Sequence, residues 1–237
     1  MTKVLALDTS SAVASVAVVD NTKILGEITY NYKRQHSTIL IPMIDRILSF
    51  LDITVKDVDC IACSSGPGSF TGLRIGAATA KGLCHGADKP LIGIPTLDSL
   101  AFNMAYANGI ICPIIDALRG NVYTAVYRWE KDWLKKQEDY MAISLEDLMA
   151  KLKLYDEDVI LLGDGIFAYR EKIVEMLGSR AKFAPVSMNM GRASSIAALA
   201  IKRYEKGSFD DYMSFVPFYL RKPQAEREYD KAHRGLV

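Results

Sequence analysis

The chain has 237 residues, 50% of them hydrophobic, with 29 basic against 28 acidic side chains and a net charge of +1. That length can bury one large core or two smaller ones, and the charge balance excludes a global field that would draw the protein onto nucleic acid or an anionic membrane. No apolar run approaches the roughly 18 residues of a spanning helix, and Met1 and Lys3 lead straight into Val4, so a cytoplasmic protein with no membrane partner is expected.

In chain order, Val4 to Leu7 reads as an apolar strand ending at Asp8-Thr9-Ser10-Ser11, Ala12 to Val19 as its hairpin mate, and Lys23 to Tyr32 as a third strand. Ser37 is placed to cap the next helix. There Leu40, Met43, Ile44, Ile47, Leu48 and Leu51 form an amphipathic stripe, with Pro42 in the opening turn. Ile39, Ile41 and Phe50 lie off that stripe, more apolar surface than one core requires, which points to a second packing partner. Asp59 to Ser65 is a short buried strand. Its Cys60-x-x-Cys63 would point to opposite faces, so the pair suits neither one metal nor a disulfide.

From Ser64 to Gly86 the glycines fall at 66, 68, 72, 76, 82 and 86, and the pattern is a strand, a glycine turn and a helix from Leu73 to Leu83. Such a turn lies where α/β sheets place ligands and where a helix offers free N–H groups to anions, so phosphate binding is the first functional reading. The spacing gives neither Gly-Lys-Ser/Thr nor GxGxxG. Gly72, Gly76 and Ala80 instead recur every four residues, a stripe poor in side chains along which another helix can lie close.

Pro90 to Ile94 reads as a strand, and Thr96 as the cap of a helix from Leu97 to Tyr106. The layout then begins again. Ile110 to Ile115 ends at Asp116-Ala117-Leu118-Arg119-Gly120, with Val122 to Tyr127 as its mate, which repeats the arrangement around Asp8 and implies two related α/β halves, 1–100 and 101–237. Trp129 to Gln137 reads as a charged connection, and Ser144-x-x-Asp147 as the start of a short helix. Val159 to Leu162 is a strand ending in Gly163-Asp164-Gly165. Ile166 to Leu177 and Ser194 to Tyr204 are helices, Phe215 to Leu220 an extended aromatic segment, and the charged tail from Pro223 is expected to fray.

The run GPGSFTGLRIG at 66–76 resembles the signature of the bacterial TsaB (YeaZ) family, and LALDTSS, RQHS at 34–37, IPTLDSLA at 94–101 and DALRGNVY at 116–123 extend the likeness in order and spacing. The resemblance implies an actin-like (ribonuclease H-like, ASKHA) two-lobed α/β fold, with duplicated mixed sheets flanked by helices. It also implies a non-catalytic scaffold in making threonylcarbamoyladenosine on tRNA. The partners implied are TsaD, which carries the chemistry, and the ATPase TsaE through the complex, with tRNA contacted indirectly; a homodimer through the same helices is the competing arrangement.

Three chemistries compete with a scaffold. In an actin-like clamp Asp8 and Asp116 would hold Mg²⁺, Thr9 to Ser11 would meet phosphate and Gly163 to Gly165 would face adenosine. Thr9-Ser10 and Ala117-Leu118 stand where such loops usually carry glycine, which leaves Asp8, Thr9, Ser10 and Ser11 as a vestigial nucleotide site and no cofactor expected. Metal catalysis lacks ligands: His36, His85 and His233 share no HxxxH or HExxH spacing. By the resemblance, the HxxxH pair of TsaD falls on Thr96 and Leu100, so no metal is expected. A serine peptidase would need a base near Ser64, Ser65 or Ser69, for which His36 and His85 are the candidates. The expected partner interface is the helix pair, with His36, Leu40, Met43, Ile44 and Ile47 on one helix and Gly72, Ile75, Gly76, Thr79 and Ala80 on the other, forming half of a four-helix contact.

Overall fold

The computed structural model describes residues 1–31 and 35–221. The expectations for the tail from Pro223, for His233 and for Arg34 lie outside the described residues. In the first lobe, β1 (Lys3–Asp8), β2 (Ala14–Asp20) and β3 (Ile24–Tyr30) form an antiparallel meander, and β4 (Cys60–Gly66) and β5 (Leu91–Pro95) join in parallel, giving the order β3-β2-β1-β4-β5. In the second, β6 (Ile110–Asp116), β7 (Asn121–Glu130), β8 (Trp133–Ser144), β9 (Val159–Leu162) and β10 (Ala181–Phe183) give the order β10-β9-β6-β7-β8. Both sheets place an antiparallel meander beside parallel strands fed by helices, so the repeat inferred from the two aspartate tips is a repeat of topology. Central strands such as β2, small and valine-rich, are buried along their whole length because both faces of the sheet are covered.

One face of the first sheet carries α1 (His36–Phe50) and α2 (Phe70–Ala87), which close a core of Leu5, Leu7, Val16, Ile44, Ile47 and Ala80. The other face is covered by α6 (Ala193–Glu205), whose Ile196, Ala197 and Ala200 meet Val4, Ala6 and Ala62. The division at residue 100 is corrected here: α6 belongs by its packing to the first lobe. Glu27 of β3 fixes it there, accepting hydrogen bonds from the Ser194 amide and hydroxyl and pairing with Arg192. Burial pushes the Glu27 carboxyl upward, yet Arg192 and Ser194 together bring it below its ordinary value.

A strap from Phe209 to Arg221 then returns along β5. The Asp210 amide donates to the Leu91 carbonyl at 2.9 Å, the Gly93 amide to Asp210 at 2.8 Å, and Lys81 Nζ to the carbonyls of Met213 and Phe215 at 3.0 and 3.1 Å. An otherwise unpaired sheet edge is thereby occupied. The aromatic segment at 215–220 is part of this strap, without regular strand pairing.

Several local readings change. Gln35, not Ser37, is the N-cap of α1, and its side chain caps none of the first-turn amides. Pro42 lies inside the helix rather than in its first turn; its missing N–H strands the Thr38 carbonyl, which solvent can satisfy because Thr38 is exposed. Pro95 precedes α3 (Thr96–Phe102), in which Thr96 is the first residue, not the cap, and which stops four residues short of Tyr106. The charged run from Trp129 to Gln137 is the tip of the β7–β8 hairpin: charges alternate along an edge strand that faces solvent, and composition alone reads that as a connection. Ser144 does cap α4 (Leu145–Leu152), accepting from the Asp147 amide at 3.1 Å.

Candidate functional site

The first tip, at the end of β1, is turned inward. Asp8 is buried, and its Oδ1 accepts from the Ser10 amide at 3.0 Å and the Ser10 hydroxyl at 2.7 Å, while Oδ2 has no partner among the described residues. Burial raises the Asp8 carboxyl above its ordinary value, against the pull of Ser10, Ser64 and the nearby His36. Thr9 is wholly buried and donates to the Gly72 carbonyl at 2.8 Å. The Ser69 amide donates to the Ser10 carbonyl at 2.7 Å, and the Ser69 hydroxyl caps α2 through the Gly72 amide. The tip is thus latched to the start of α2.

That latch explains the glycine stripe. A Cβ on Gly72 would fall closer than 3.0 Å to the Thr9 carbonyl oxygen, and one on Gly76 closer than 3.0 Å to Thr9 Oγ1. The close approach that the stripe permits is therefore to the chain's own β1–β2 tip, and the expectation of a foreign helix lying along Gly72, Gly76 and Ala80 is corrected. Leu40, Met43, Ile44 and Ile47 are likewise buried in the first lobe. Of the expected interface residues, His36, Ile75 and Thr79 remain partly accessible, and the outward surface of the helix pair is carried instead by Ile41, 54% exposed, Phe50, 72% exposed, and Ala78.

Between the lobes lies a cleft with a cavity of about 500 Å³, bordered by Ser10, Ser11 and His36 on one side and Asp116, Leu118 and Asp164 on the other. Asp8 and Thr9 do not reach it, so of the four residues assigned to a vestigial nucleotide site only Ser10 and Ser11 face the opening. In the second tip Asp116 Oδ1 accepts from the Leu118 amide at 2.8 Å and the Tyr169 hydroxyl at 3.1 Å. Leu118 and Arg119 both hold left-handed backbone angles, φ 63° and 58°. Asp164 accepts from the Asp116 amide at 3.1 Å, and its carboxyl is raised by burial and by the neighbouring Asp116 charge. Two carboxylates thus face the cleft where phosphates would have to run. Tyr219 and Arg221 also line it; they belong to the strap, and no motif marks them in the sequence.

Thr96 and Leu100 are both buried, and among the described residues no cluster of three His, Cys, Asp or Glu could hold a metal. Ser64 is buried close to Asp8 and does not border the cleft, Ser69 is engaged as the cap of α2, and His85 sits at the exposed end of that helix beside Tyr212. The four cysteines are free and buried, and burial pushes the thiols of Cys60, Cys84 and Cys112 up to about 12 and that of Cys63 higher still.

Two sheets of repeated topology closing on a cleft between aspartate tips define an actin-like protein. The same architecture recurs in the ethanolamine utilization protein EutJ of Carboxydothermus hydrogenoformans, at TM-score 0.51 and 14% identity over 84% of this chain and 90% of that one, a likeness of fold alone. A family model described as TsaD, tRNA N6-adenosine threonylcarbamoyltransferase, matches residues 23–229. The tRNA threonylcarbamoyladenosine biosynthesis protein TsaB of Bacillus subtilis is 31% identical over 98% of this chain and 99% of its own, and the Escherichia coli TsaB 34% identical over 60% and 62%. YeaZ from Pseudomonas aeruginosa superposes with TM-score 0.79 at 25% identity, over 93% of this chain and all of that one. The chain belongs to the TsaB (YeaZ) family, whose proteins take part in tRNA threonylcarbamoyladenosine biosynthesis.

Proposed function

We propose that the chain is the non-catalytic scaffold of the threonylcarbamoyladenosine modification machinery, docking the catalytic TsaD subunit through the outward face of α1 and α2 and working in the cytoplasm. The observation that carries the reading is that α1 leaves two large apolar side chains in water, Ile41 and Phe50, on the opposite flanks of a stripe already satisfied by the lobe core. Large apolar side chains left in water beside a helix pair offer contact area to a partner that covers both helices. His36, Ile75 and Thr79 border that surface, and Arg46 and Arg74, stacked over Phe50 and Phe70, supply its polar rim. The buried Thr96 and Leu100, at the positions where TsaD carries its HxxxH pair, leave the chemistry to the partner. TsaE joins through the complex, and tRNA is met through TsaD.

The test uses the full chain with TsaD from the same genome. The double variant Ile41→Asp, Phe50→Asp should weaken the complex at least about tenfold and lower reconstituted modification of tRNA, with the melting temperature of the isolated chain unchanged because both side chains are exposed. Undiminished binding refutes docking through this face. Turnover of Mg²⁺-ATP by the isolated chain above background refutes the scaffold reading as a whole.

A further inference from the structure

Among the described residues the two lobes keep separate apolar cores, Leu5, Leu7 and Val16 lying in the first, and Ile111 and Val126 in the second with Ile166 and Ile173 of α5 (Gly165–Leu177). Halves that share no core turn about the segments that join them unless something else ties them. One joint is formed where Phe102 of α3 and Trp133, at the start of β8, pack with α6. The strap makes another. The Phe218 amide donates to the Ser65 carbonyl at 2.8 Å, and a Cβ on Gly66 would fall closer than 3.0 Å to the Phe218 carbonyl oxygen, so the strap backbone lies directly against the end of β4 in the first lobe. The Phe218 ring meets Tyr140 of β8 in the second lobe, with centroids 5.5 Å apart and planes at 50°, within the range of an attractive aromatic pair. Tyr140 packs against the second core, and its hydroxyl donates to Asp98 of α3 at 2.9 Å.

We propose that Phe218 and Tyr140 form a latch that holds the two lobes at one fixed opening, independently of the scaffold role. A single joint is a pivot; two joints set well apart fix an orientation. Trp133 and Tyr140 lie at separate points of the same strand, roughly 20 Å apart along it, so the contact at Tyr140 opposes rotation about the joint at Trp133 with a long lever. The latch also stands at the cleft, because Tyr219, the residue after Phe218, lines the opening and stacks on Phe70 with centroids 5.1 Å apart. Neither partner follows a movement of the other. Asp98 holds the Tyr140 ring through its hydroxyl, while the bonds to Ser65 and from Lys81 hold the strap backbone on the first lobe. Two-lobed proteins that hinge on a ligand have both walls held together by the bound molecule. Here a residue of the chain itself holds both walls, so the width of the cleft is set without a ligand. This gives a role to Gly66 and Asp98, which belong to the runs at 66–76 and 94–101 and take no part in the docking face.

Double electron–electron resonance tests this on the full chain, spin-labelled at Asp45→Cys of α1 and Glu175→Cys of α5 and diluted with unlabelled protein. Both positions are exposed and the four native cysteines are buried. The chain with an intact strap should give one narrow distance between the labels. Phe218→Ala should broaden that distance or move its centre by about 2 Å or more, Tyr140→Leu should do the same from the other side of the contact, and the two together should do no more than either alone. Val216→Ala, at a strap position 74% exposed, should leave the distance as it is. Tyr140→Leu keeps apolar bulk against the second core and carries the test if Phe218→Ala does not fold. A broad distance with the strap intact, an unchanged distance in either folded variant, additive broadening in the double variant, or an equal effect of Val216→Ala overturns the proposal.

Discussion

Replacing Gly76 by alanine separates a stripe built for the chain's own tip from one built for a partner. The new Cβ would intrude on Thr9 Oγ1, and that hydroxyl has nowhere to go: Thr9 is wholly buried and bonded to the Gly72 carbonyl. Overpacking of this kind costs about 1–3 kcal/mol, and turning the threonine aside forfeits a buried hydrogen bond worth about 1 kcal/mol. Alanine gains about 1 kcal/mol over glycine inside a helix. The net expectation is a loss of about 1–3 kcal/mol, or roughly 2–10 °C in Tm for a chain of this size. Gly82, on the same helix with nothing within 4 Å of its would-be Cβ, supplies the opposite sign: Gly82→Ala should gain about 0.5–1 kcal/mol. Urea unfolding of both variants, and of Gly76→Ala in a Thr9→Ala background, completes a double-mutant cycle. In that background the clashing oxygen is gone and the penalty should largely vanish. If Gly76→Ala is as stable as Gly82→Ala, or if its cost persists without the Thr9 hydroxyl, the latch between tip and helix is not what the glycine serves.

Asp98 accepts from the hydroxyls of Tyr127 at 2.6 Å and Tyr140 at 2.9 Å, so Asp98→Ala strands two phenols and should cost about 2–4 kcal/mol in urea unfolding, whereas Tyr140→Phe, which removes one donor, should cost less than half as much. Burial raises the Asp8 carboxyl in the folded chain, so the folded state holds the proton above the pH at which the unfolded chain releases it, and stability through this group falls as pH rises through the raised value. Asp8→Asn should therefore raise the Tm by a few degrees at pH 7.5, with the advantage shrinking toward pH 4; an advantage independent of pH would contradict the assignment. The buried thiols, pushed up to about 12 or beyond, should stay silent to Ellman's reagent at pH 8 until denaturant is added, and prompt reaction of any one in the native chain would refute its burial.

The sheets and helices were legible because their signals are local. Apolar strands ending in Asp8 and Asp116, the glycine turn after β4 and the stripe from Leu40 to Leu48 each announce an element through its own spacing. What escaped depends on contacts between distant residues. The buried side of α1 follows from its period, but which neighbour fills the groove of Gly72 and Gly76 is decided by Thr9, more than sixty positions earlier. The β7–β8 hairpin was hidden because an edge strand in solvent needs no apolar alternation. In the cleft, Ser10, Ser11 and Asp116 were visible at their tips, while Tyr219 and Arg221 arrive through a strap that no pattern identifies.

The route of the chain also fixes an order of assembly. The first sheet is complete in sequence by Pro95, yet one face of it is clothed by α6 and its β5 edge by the strap ending at Arg221. During synthesis a nascent chain therefore carries a finished sheet with a bare apolar face and an open edge while about a hundred further residues are still to come, the interval in which strand edges recruit other chains. A polypeptide halted at residue 100 would remain in that state, because α6 and the strap, which emerge only after the second sheet, are what close the lobe made first.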